Sequence, residues 1–177
     1  MRMRFKTCLF LLVFVVSCDN QEIKKNIDRG ELSKLLLEAN KAQVGYDTLR
    51  LISFIRLNQW EMKQTKSGLW YQIIEQENGP QINEGDVVTL DFTVHLLDGT
   101  LCYSTFKEGP KMFKVSRGGV ESGLEEAILF LHGGDSARVI MPQFRAHHLL
   151  GDGVKIPPLA TIIYHLRVLE VISPKGK

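Results

Sequence analysis

The chain has 177 residues, of which 44% are apolar and 24% charged, and its formal net charge is +2. This composition is typical of a globular protein with one ordinary domain plus accessories, and it excludes a mainly disordered chain. Arg2, Arg4 and Lys6 lie at the very start; without these three, the 22 Lys and Arg residues fall to 19, against 20 Asp and Glu. A near-neutral chain without a basic stripe lacks the electrostatic footprint of nucleic-acid binding, so we expect no nucleic-acid partner.

Residues 1–17 have the pattern of a lipoprotein signal peptide. A basic start precedes the apolar run 9–16, which is far shorter than the roughly 20 residues that span a bilayer. The run ends in Val15-Val16-Ser17-Cys18, which is similar to a bacterial lipobox. That similarity implies that Cys18 is lipidated and that residues 18–30 form a polar tether to a membrane of the cell envelope, with the domain on its periplasmic or outer side. The alternative is an ordinary cleaved signal with an incidental cysteine.

Residues 31–66 form the predicted N-terminal helical segment. Apolar residues recur there at helical spacing: Leu32, Leu35, Leu36, Leu49, Ile52, Ile55 and Leu57. Gly45 interrupts the pattern, which predicts two helices or one bent helix. The segment either packs on the domain that follows or offers a surface through which an oligomer or another partner could bind.

Residues 67–177 form the main predicted domain, which consists mostly of β-strands. Period-two alternation is strongest in residues 86–97, and Asp98-Gly99 after it is a hairpin turn signal in which both residues can take positive φ. The other predicted strands are 69–75, 101–106, 111–115, 137–141 and 160–172.

One helix is predicted in this domain, over residues 122–131. Ser122 is its expected N-cap, Glu125 completes a capping box, and Gly133 ends it. An antiparallel sheet with a single short helix against it makes the fold class α+β.

Four stretches of this domain resemble the FK506-binding-protein (FKBP-type) peptidyl-prolyl isomerases. They follow one another in the order of that family: LLDGT (96–100), VESGLEEA (120–127), GDSA (134–137) and GDGVKIPPLAT (151–161). The resemblance implies a twisted antiparallel sheet wrapped on one short helix, and prolyl cis-trans isomerase activity without a cofactor. Five histidines lack the spacing of metal ligands, so no metal site is expected.

A narrower resemblance extends over nearly all of the chain after the signal. The stretches NQWEM (58–62), TKSGLWY (65–71) and LLGDG (149–153) are similar to the gliding-motility-associated isomerase lipoproteins, as is the serine in residues 121–126. This similarity implies that the partners are proline-containing exported proteins, and that the protein assists the folding of envelope or motility proteins.

The family's substrate pocket can be carried over position by position. Ile156 stands where a backbone N–H binds the substrate carbonyl, and the side chains that stand at pocket positions are Phe92, Tyr103, Val120, Leu124, His147 and Tyr164. Several are not the family's usual residue: Leu124 replaces a tryptophan, Tyr103 an aspartate and His147 a tyrosine. Cys102 and Glu121 are expected to be core residues without a catalytic duty.

Two other functions remain open beside the isomerase. The lost tryptophan and aspartate favour a catalytically weak chaperone or scaffold lipoprotein in an envelope complex. The other open function is that of a structural lipoprotein that dimerises through its N-terminal helices.

Overall fold

The computed structural model describes residues 29–174. The predicted signal peptide, Cys18 and most of the predicted tether lie outside these residues. The chain divides between Lys41 and Ala42 into two units, of which the structure describes residues 29–41 and residues 42–174. Within the described range, no helix combines the length and the apolar character needed to cross a bilayer.

The helices and strands follow one another in a mostly β order. They are α1 (Arg29–Leu57), β1 (Lys63–Gln64), β2 (Trp70–Glu75), β3 (Val87–Leu96), β4 (Leu101–Ser104), α2 (Thr105–Glu108), β5 (Lys111–Lys114), α3 (Ser122–Ile128), β6 (Ser136–Met141), the 3₁₀ turn η1 (Gln143–Arg145) and β7 (Ile162–Ile172).

In the first unit, residues 29–41 are helical, and Leu32, Leu35 and Leu36 are exposed. Helix α1 continues through Gly45, so of the two alternatives predicted from the sequence, two helices or one bent helix, the structure has a single helix. A Cβ added at Gly45 would meet nothing within 4 Å. A single glycine costs only about 1 kcal/mol in a helix, and this is too little to end one of this length.

The second unit is built on one antiparallel sheet, which confirms the predicted fold. The strand order is β1-β2-β6-β7-β3-β4, and β5 pairs with β3. Its centre is the long pair β3 and β7, which runs from Val87 opposite Ile172 to Leu96 opposite Ile162 with one shift in register between Thr89 and Leu90. On β3, Val88, Leu90 and Val94 are buried, as the alternation predicts.

The sheet has an apolar cluster on each face, because alternate residues of a strand point to opposite sides. On β6, Val139 and Met141 belong to the main core, which also contains Leu124 and Ile128 of α3. Ile140 between them belongs to a second cluster, with Ile163 of β7 and with Leu51 and Ile55 of α1.

The face of α1 that packs on the sheet differs from the predicted one. Leu51 and Ile55, one helical turn apart, are buried, whereas Leu49 and Leu57 are 67% and 83% exposed. The apolar residues surround the helix rather than form one stripe, so spacing alone did not identify the contacting side.

The start of α3 also differs from the prediction. Its N-cap is Glu121, which makes no side-chain cap bond, rather than Ser122. The carboxylate of Glu125 does not complete a capping box; it accepts the N–H groups of Ser116 and Gly118 in the preceding turn. The helix ends at Ile128, three residues before the predicted end.

Two short helical pieces were not predicted. Helix α2 has four residues and η1 has three, and both are too short to show a helical period in the sequence. In the β3–β4 turn only Gly99 has positive φ, and the carboxylate of Asp98 instead accepts the N–H of Thr100 at 2.9 Å.

A group of rings and a guanidinium lies on the α1 side of the sheet. The guanidinium of Arg138 is 3.8 Å from the ring centroid of Trp60, and the rings of Trp60 and His165 are 6.1 Å apart. Burial, followed by the charge of Arg138 and by His95, holds the pKa of His165 below its usual value.

We expect this histidine to make the fold less stable in acid. The unfolded chain, with a histidine pKa near 6.5, binds this proton more readily than the native state. The contribution of His165 is therefore complete above about pH 6.5 and is lost as the pH falls through the lower folded-state pKa. Urea midpoints between pH 7.5 and 5 should fall less steeply in His165→Gln than in the wild type. The exposed control His148→Gln should follow the wild type, and equal slopes in all three would contradict the expectation.

Candidate active site

A cavity of about 460 Å³ opens between β3, β4, β7, the α2–β5 segment and the β6–β7 connection. It is lined by Phe92, Tyr103, Thr105, Glu108, Gly109, Pro110, Lys111, Glu121, His147, Asp152 and Tyr164.

Two aromatic rings form one wall of this cavity. Phe92 on β3 and Tyr164 on the adjacent β7 have ring centroids 5.1 Å apart and planes inclined by 54°. The backbone N–H of Phe92 donates to Thr105 Oγ1 at 2.8 Å, which ties β3 to the start of α2. The paired rings give the cavity a fixed apolar surface.

Three polar side chains, the polar trio Glu121, His147 and Tyr164, meet at the same wall. The Tyr164 hydroxyl donates to Glu121 Oε1 at 3.0 Å, and His147 Nε2 lies 3.1 Å from the same oxygen. The side chain of Glu121 is only 12% exposed. Burial, followed by the charge and the hydrogen bond of Glu121, raises the pKa of Tyr164 well above its usual value. The trio therefore includes a carboxylate that is mostly shielded from solvent.

A second polar contact joins β4 to the β6–β7 connection. The Tyr103 hydroxyl donates to Asp152 Oδ2. Asp152 Oδ1 accepts the N–H groups of Val154, Lys155 and Ile156 at 2.9, 2.9 and 2.8 Å. Burial alone would raise the pKa of Asp152, but these hydrogen bonds hold it well below its usual value. The bond to Asp152 in turn raises the pKa of Tyr103 to about 12.

Lysine 155 brings a positive charge to the edge of this contact. Lys155 Nζ lies 4.5 Å from the ring centroid of Tyr103 and 3.7 Å from Glu108 Oε1. Both geometries are favourable for a cation, although exposed pairs of this kind contribute little to stability.

Four of the seven predicted site residues line the cavity: Phe92, Tyr103, His147 and Tyr164. The other three, Val120, Leu124 and Ile156, are not among its lining residues. Leu124 and Ile156 are buried in the core, and Val120 packs against it. The Ile156 N–H donates to Asp152, so a substrate carbonyl would first have to displace that carboxylate. Whether these seven residues handle substrate stays a prediction.

The main residue that the sequence analysis placed wrongly is Glu121. It was expected in the core without a duty, but it lines the cavity and holds His147 and Tyr164. Cys102, by contrast, is buried in the core as expected, and burial raises the pKa of its thiol.

Asp152 and the α2–β5 residues were also missed. A signal for Asp152 did exist, because an Asp-Gly pair is typical of a turn in which the carboxylate accepts following N–H groups. Nothing in the sequence distinguishes Glu108 or Lys111 from other surface charges.

The contact between Tyr103 and Asp152 predicts a measurable titration. In Asp152→Asn the hydroxyl loses its anionic acceptor, so the pKa of Tyr103 should fall from about 12 toward the usual value near 10. NMR titration of the Tyr103 ring, assigned by comparison with Tyr103→Phe, measures it. An unchanged titration in Asp152→Asn would show that this hydrogen bond does not form in solution.

Comparison with known protein families matches residues 79–169 to the model of the FKBP-type peptidyl-prolyl cis-trans isomerases. Among the similar proteins, the probable FKBP-type peptidyl-prolyl cis-trans isomerase FkpA of Neisseria meningitidis is 29% identical over 170 residues, which cover 89% of this chain and 62% of that protein. The FKBP-type 22 kDa peptidyl-prolyl cis-trans isomerase of Escherichia coli is 32% identical over 112 residues, or 63% of this chain and 53% of that protein. Outer membrane protein MIP of Legionella longbeachae is 30% identical over 153 residues, or 86% of this chain and 57% of that protein. The chain thus spans little more than half the length of these relatives.

The solved structures agree on the fold. The crystal structure of FkpA from Escherichia coli superposes with a TM-score of 0.64 at 21% identity, covering 84% of this chain and 75% of that one. The structure of the three FKBP domains of wheat FKBP73 gives a TM-score of 0.58 at 26% identity, covering 64% of this chain and 50% of that one. The family match covers more than half of the chain and contains every residue that lines the cavity. The chain therefore belongs to the FKBP-type peptidyl-prolyl cis-trans isomerase family.

Proposed function

We propose that this protein is a peptidyl-prolyl cis-trans isomerase that takes the Xaa-Pro bond into the cavity beside Phe92 and Tyr164. The observation that carries the proposal is the pair of rings 5.1 Å apart on a cavity of about 460 Å³, inside the segment matched to the isomerase family. A prolyl ring is apolar and compact, and it packs favourably on such a wall.

The proposed chemistry requires no nucleophile. Rotation about an Xaa-Pro bond has a barrier of about 20 kcal/mol, because the planar amide is stabilised by resonance. The twisted amide loses the resonance and the charge separation that goes with it. A wall that removes water from the bond therefore disfavours the planar state relative to the twisted one, which lowers the barrier.

A second candidate function is a chaperone or scaffold with weak catalysis. The observation in its favour is the polar character of the cavity, where Glu121, His147 and Asp152 stand among the rings. Carboxylates hold water, and water at the bond weakens the desolvation on which the proposed chemistry relies.

Refolding of a small protein whose slow phase is a proline isomerisation distinguishes the two. An isomerase at substoichiometric concentration increases the rate of the slow phase and leaves the fast phase unchanged. A chaperone suppresses aggregation of the same protein at stoichiometric concentration without a faster slow phase, and that result would favour the second candidate.

The proposed place of action is the cell envelope, with a lipid anchor at Cys18. The signal-like pattern of residues 1–22 supports this, as does the similarity to a relative that is named an outer membrane protein. The proposed clients are exported proteins that contain proline, and the resemblance of residues 58–71 and 149–153 to gliding-motility lipoproteins favours motility proteins among them. The exposed leucines of residues 32–37 support a further proposal, an oligomer formed through α1.

Lipidation at Cys18 can be tested directly. In bacteria that express the full chain and receive radiolabelled palmitate, we expect label on the wild type and none on Cys18→Ser. The matched control Cys102→Ser, which changes a buried core thiol, should keep the label. Label on Cys18→Ser would rule out the anchor proposed here.

A further inference from the structure

We propose that Glu121 makes the cavity selective for prolyl peptides with Lys or Arg next to the proline, and that it disfavours Asp or Glu there. The proposal rests on the proposed function, because it names the class of peptide that the same cavity prefers. Glu121 acts here as a specificity-determining residue and not as a participant in the bond rotation.

The first observation is that only one of the two carboxylate oxygens of Glu121 has hydrogen-bond partners in the described part of the chain. Its Oε1 accepts from Tyr164 and lies against His147, at 3.0 and 3.1 Å. Its Oε2 is buried and has no hydrogen-bond partner within residues 29–174. A buried charged oxygen without a hydrogen-bond donor is energetically unfavourable. A ligand that brings a positively charged donor to this carboxylate should therefore bind more tightly than one that does not.

The second observation is that the other acidic groups of the cavity already have partners. Asp152 accepts three backbone N–H groups and the Tyr103 hydroxyl. Glu108 lies 3.7 Å from Lys155, whose ammonium also faces the ring of Tyr103. Among the carboxylates of the lining, Glu121 is therefore the one with a buried oxygen that lacks a hydrogen-bond partner within residues 29–174.

The third observation concerns the charge of the lining. It contains three carboxylates, of Glu108, Glu121 and Asp152, and one lysine, Lys111; a second lysine, Lys155, lies at the edge of the cavity beside Glu108. With both lysines counted and the histidine left out, the surplus is one negative charge. An incoming Lys or Arg is attracted by this surplus, and an incoming Asp or Glu is repelled; both effects are strengthened in a partly enclosed site.

The geometry requires that the cation come from a neighbour of the proline. The prolyl ring itself is uncharged and packs on Phe92 and Tyr164, and Glu121 is bonded to the hydroxyl of that Tyr164. Adjacent residues of a peptide are about 3.8 Å apart at their Cα atoms, and a Lys or Arg side chain is long enough to bridge a further few ångströms. A side chain one residue from the proline is therefore long enough to bring its positive charge close to the carboxylate of Glu121.

The experiment compares blocked peptides that differ at one position beside the proline. Each carries Lys, Gln or Glu immediately before or immediately after the proline, and Kd is measured by NMR titration of the full chain at pH 8, where histidines are ordinarily neutral. In at least one of the two series we expect the Lys peptide to bind about tenfold more tightly than the Glu peptide, with the Gln peptide between them and the difference decreasing in high salt.

Variants decide whether Glu121 is the cause. Glu121→Gln keeps an acceptor for Tyr164 and the volume of the side chain, and the ratio between the Kd values of the Lys and Glu peptides, taken within this variant, should fall below about twofold. Glu121→Asp should retain part of the preference. The control Glu84→Gln removes the same charge from an exposed position outside the cavity and should leave the preference unchanged.

The outcomes separate this proposal from the one on which it rests. Equal binding of Lys, Gln and Glu peptides to the wild type, or a preference that persists in Glu121→Gln, would overturn the role of Glu121 while leaving the isomerase proposal intact. If no prolyl peptide of either series binds, both proposals are overturned together.

Discussion

Replacement of Asp135 by alanine lowers the free energy of unfolding by about 3 kcal/mol, which is the largest stability effect that we expect from a single polar side chain. Asp135 is 0% exposed and lies in the turn before β6. Its Oδ1 accepts the N–H of Glu77 at 2.6 Å and its Oδ2 the N–H of His132 at 2.8 Å. Alanine leaves both donors without an acceptor in a place that water reaches poorly.

Two variants show whether these hydrogen bonds are the cause. Asp135→Asn keeps one acceptor oxygen and should lose roughly half as much stability as Asp135→Ala, as measured by urea denaturation followed by circular dichroism. Asp98→Ala is the matched control, because Asp98 is exposed and bonds one N–H in a hairpin turn; its midpoint should stay close to that of the wild type. If the Asp135→Ala midpoint also stayed there, the turn would not depend on this carboxylate.

Removal of the Phe92 ring should lower the catalysed rate of prolyl isomerisation about 30-fold. The ring forms half of the aromatic wall, and loss of a packed phenyl group at a ligand costs about 2 kcal/mol, which corresponds to that factor in rate. The measurement is kcat/KM for a prolyl tetrapeptide with the full chain carrying Phe92→Ala.

The control for Phe92→Ala is a Phe-to-Ala substitution at a position outside the cavity, Phe106. Phe106 follows the same hairpin, is 95% exposed and does not line the cavity, so Phe106→Ala should keep the wild-type rate. Circular dichroism establishes that both variants are folded. Equal rates for Phe92→Ala and the wild type would show that the Phe92 ring does not contribute to catalysis.

Much of the sheet could be predicted from the sequence because strand periodicity and turn residues are local signals. The alternation of residues 87–96 identified the inward side of β3 correctly, and Asp98-Gly99 identified the hairpin. Helix α1 could also be predicted, because the helical spacing of apolar residues is a local signal as well. Its contacting face was not, because that face depends on which residues meet Ile140 and Ile163, and these are distant in the sequence.

The site was harder to predict than the fold because it is assembled across distant segments. Family positions led to Phe92, Tyr103, His147 and Tyr164, which do line the cavity. They could not show that Glu121 faces the cavity, since nothing in the sequence around a single glutamate indicates the direction of its side chain. The capping-box pattern at Glu125 failed for a related reason: the N–H groups of a preceding turn compete for the same carboxylate.

The rate of cis-trans exchange at an Xaa-Pro bond tests the central claim most directly. Two-dimensional NMR exchange on a prolyl tetrapeptide, with a catalytic amount of the full chain, compares that rate with the uncatalysed one, which takes tens to hundreds of seconds. We predict exchange far faster than the uncatalysed rate, and a catalysed rate about 30-fold lower with Phe92→Ala. A folded wild-type chain that leaves the exchange at its uncatalysed rate would contradict the account, because the cavity beside Phe92 and Tyr164 would then not lower the barrier to rotation.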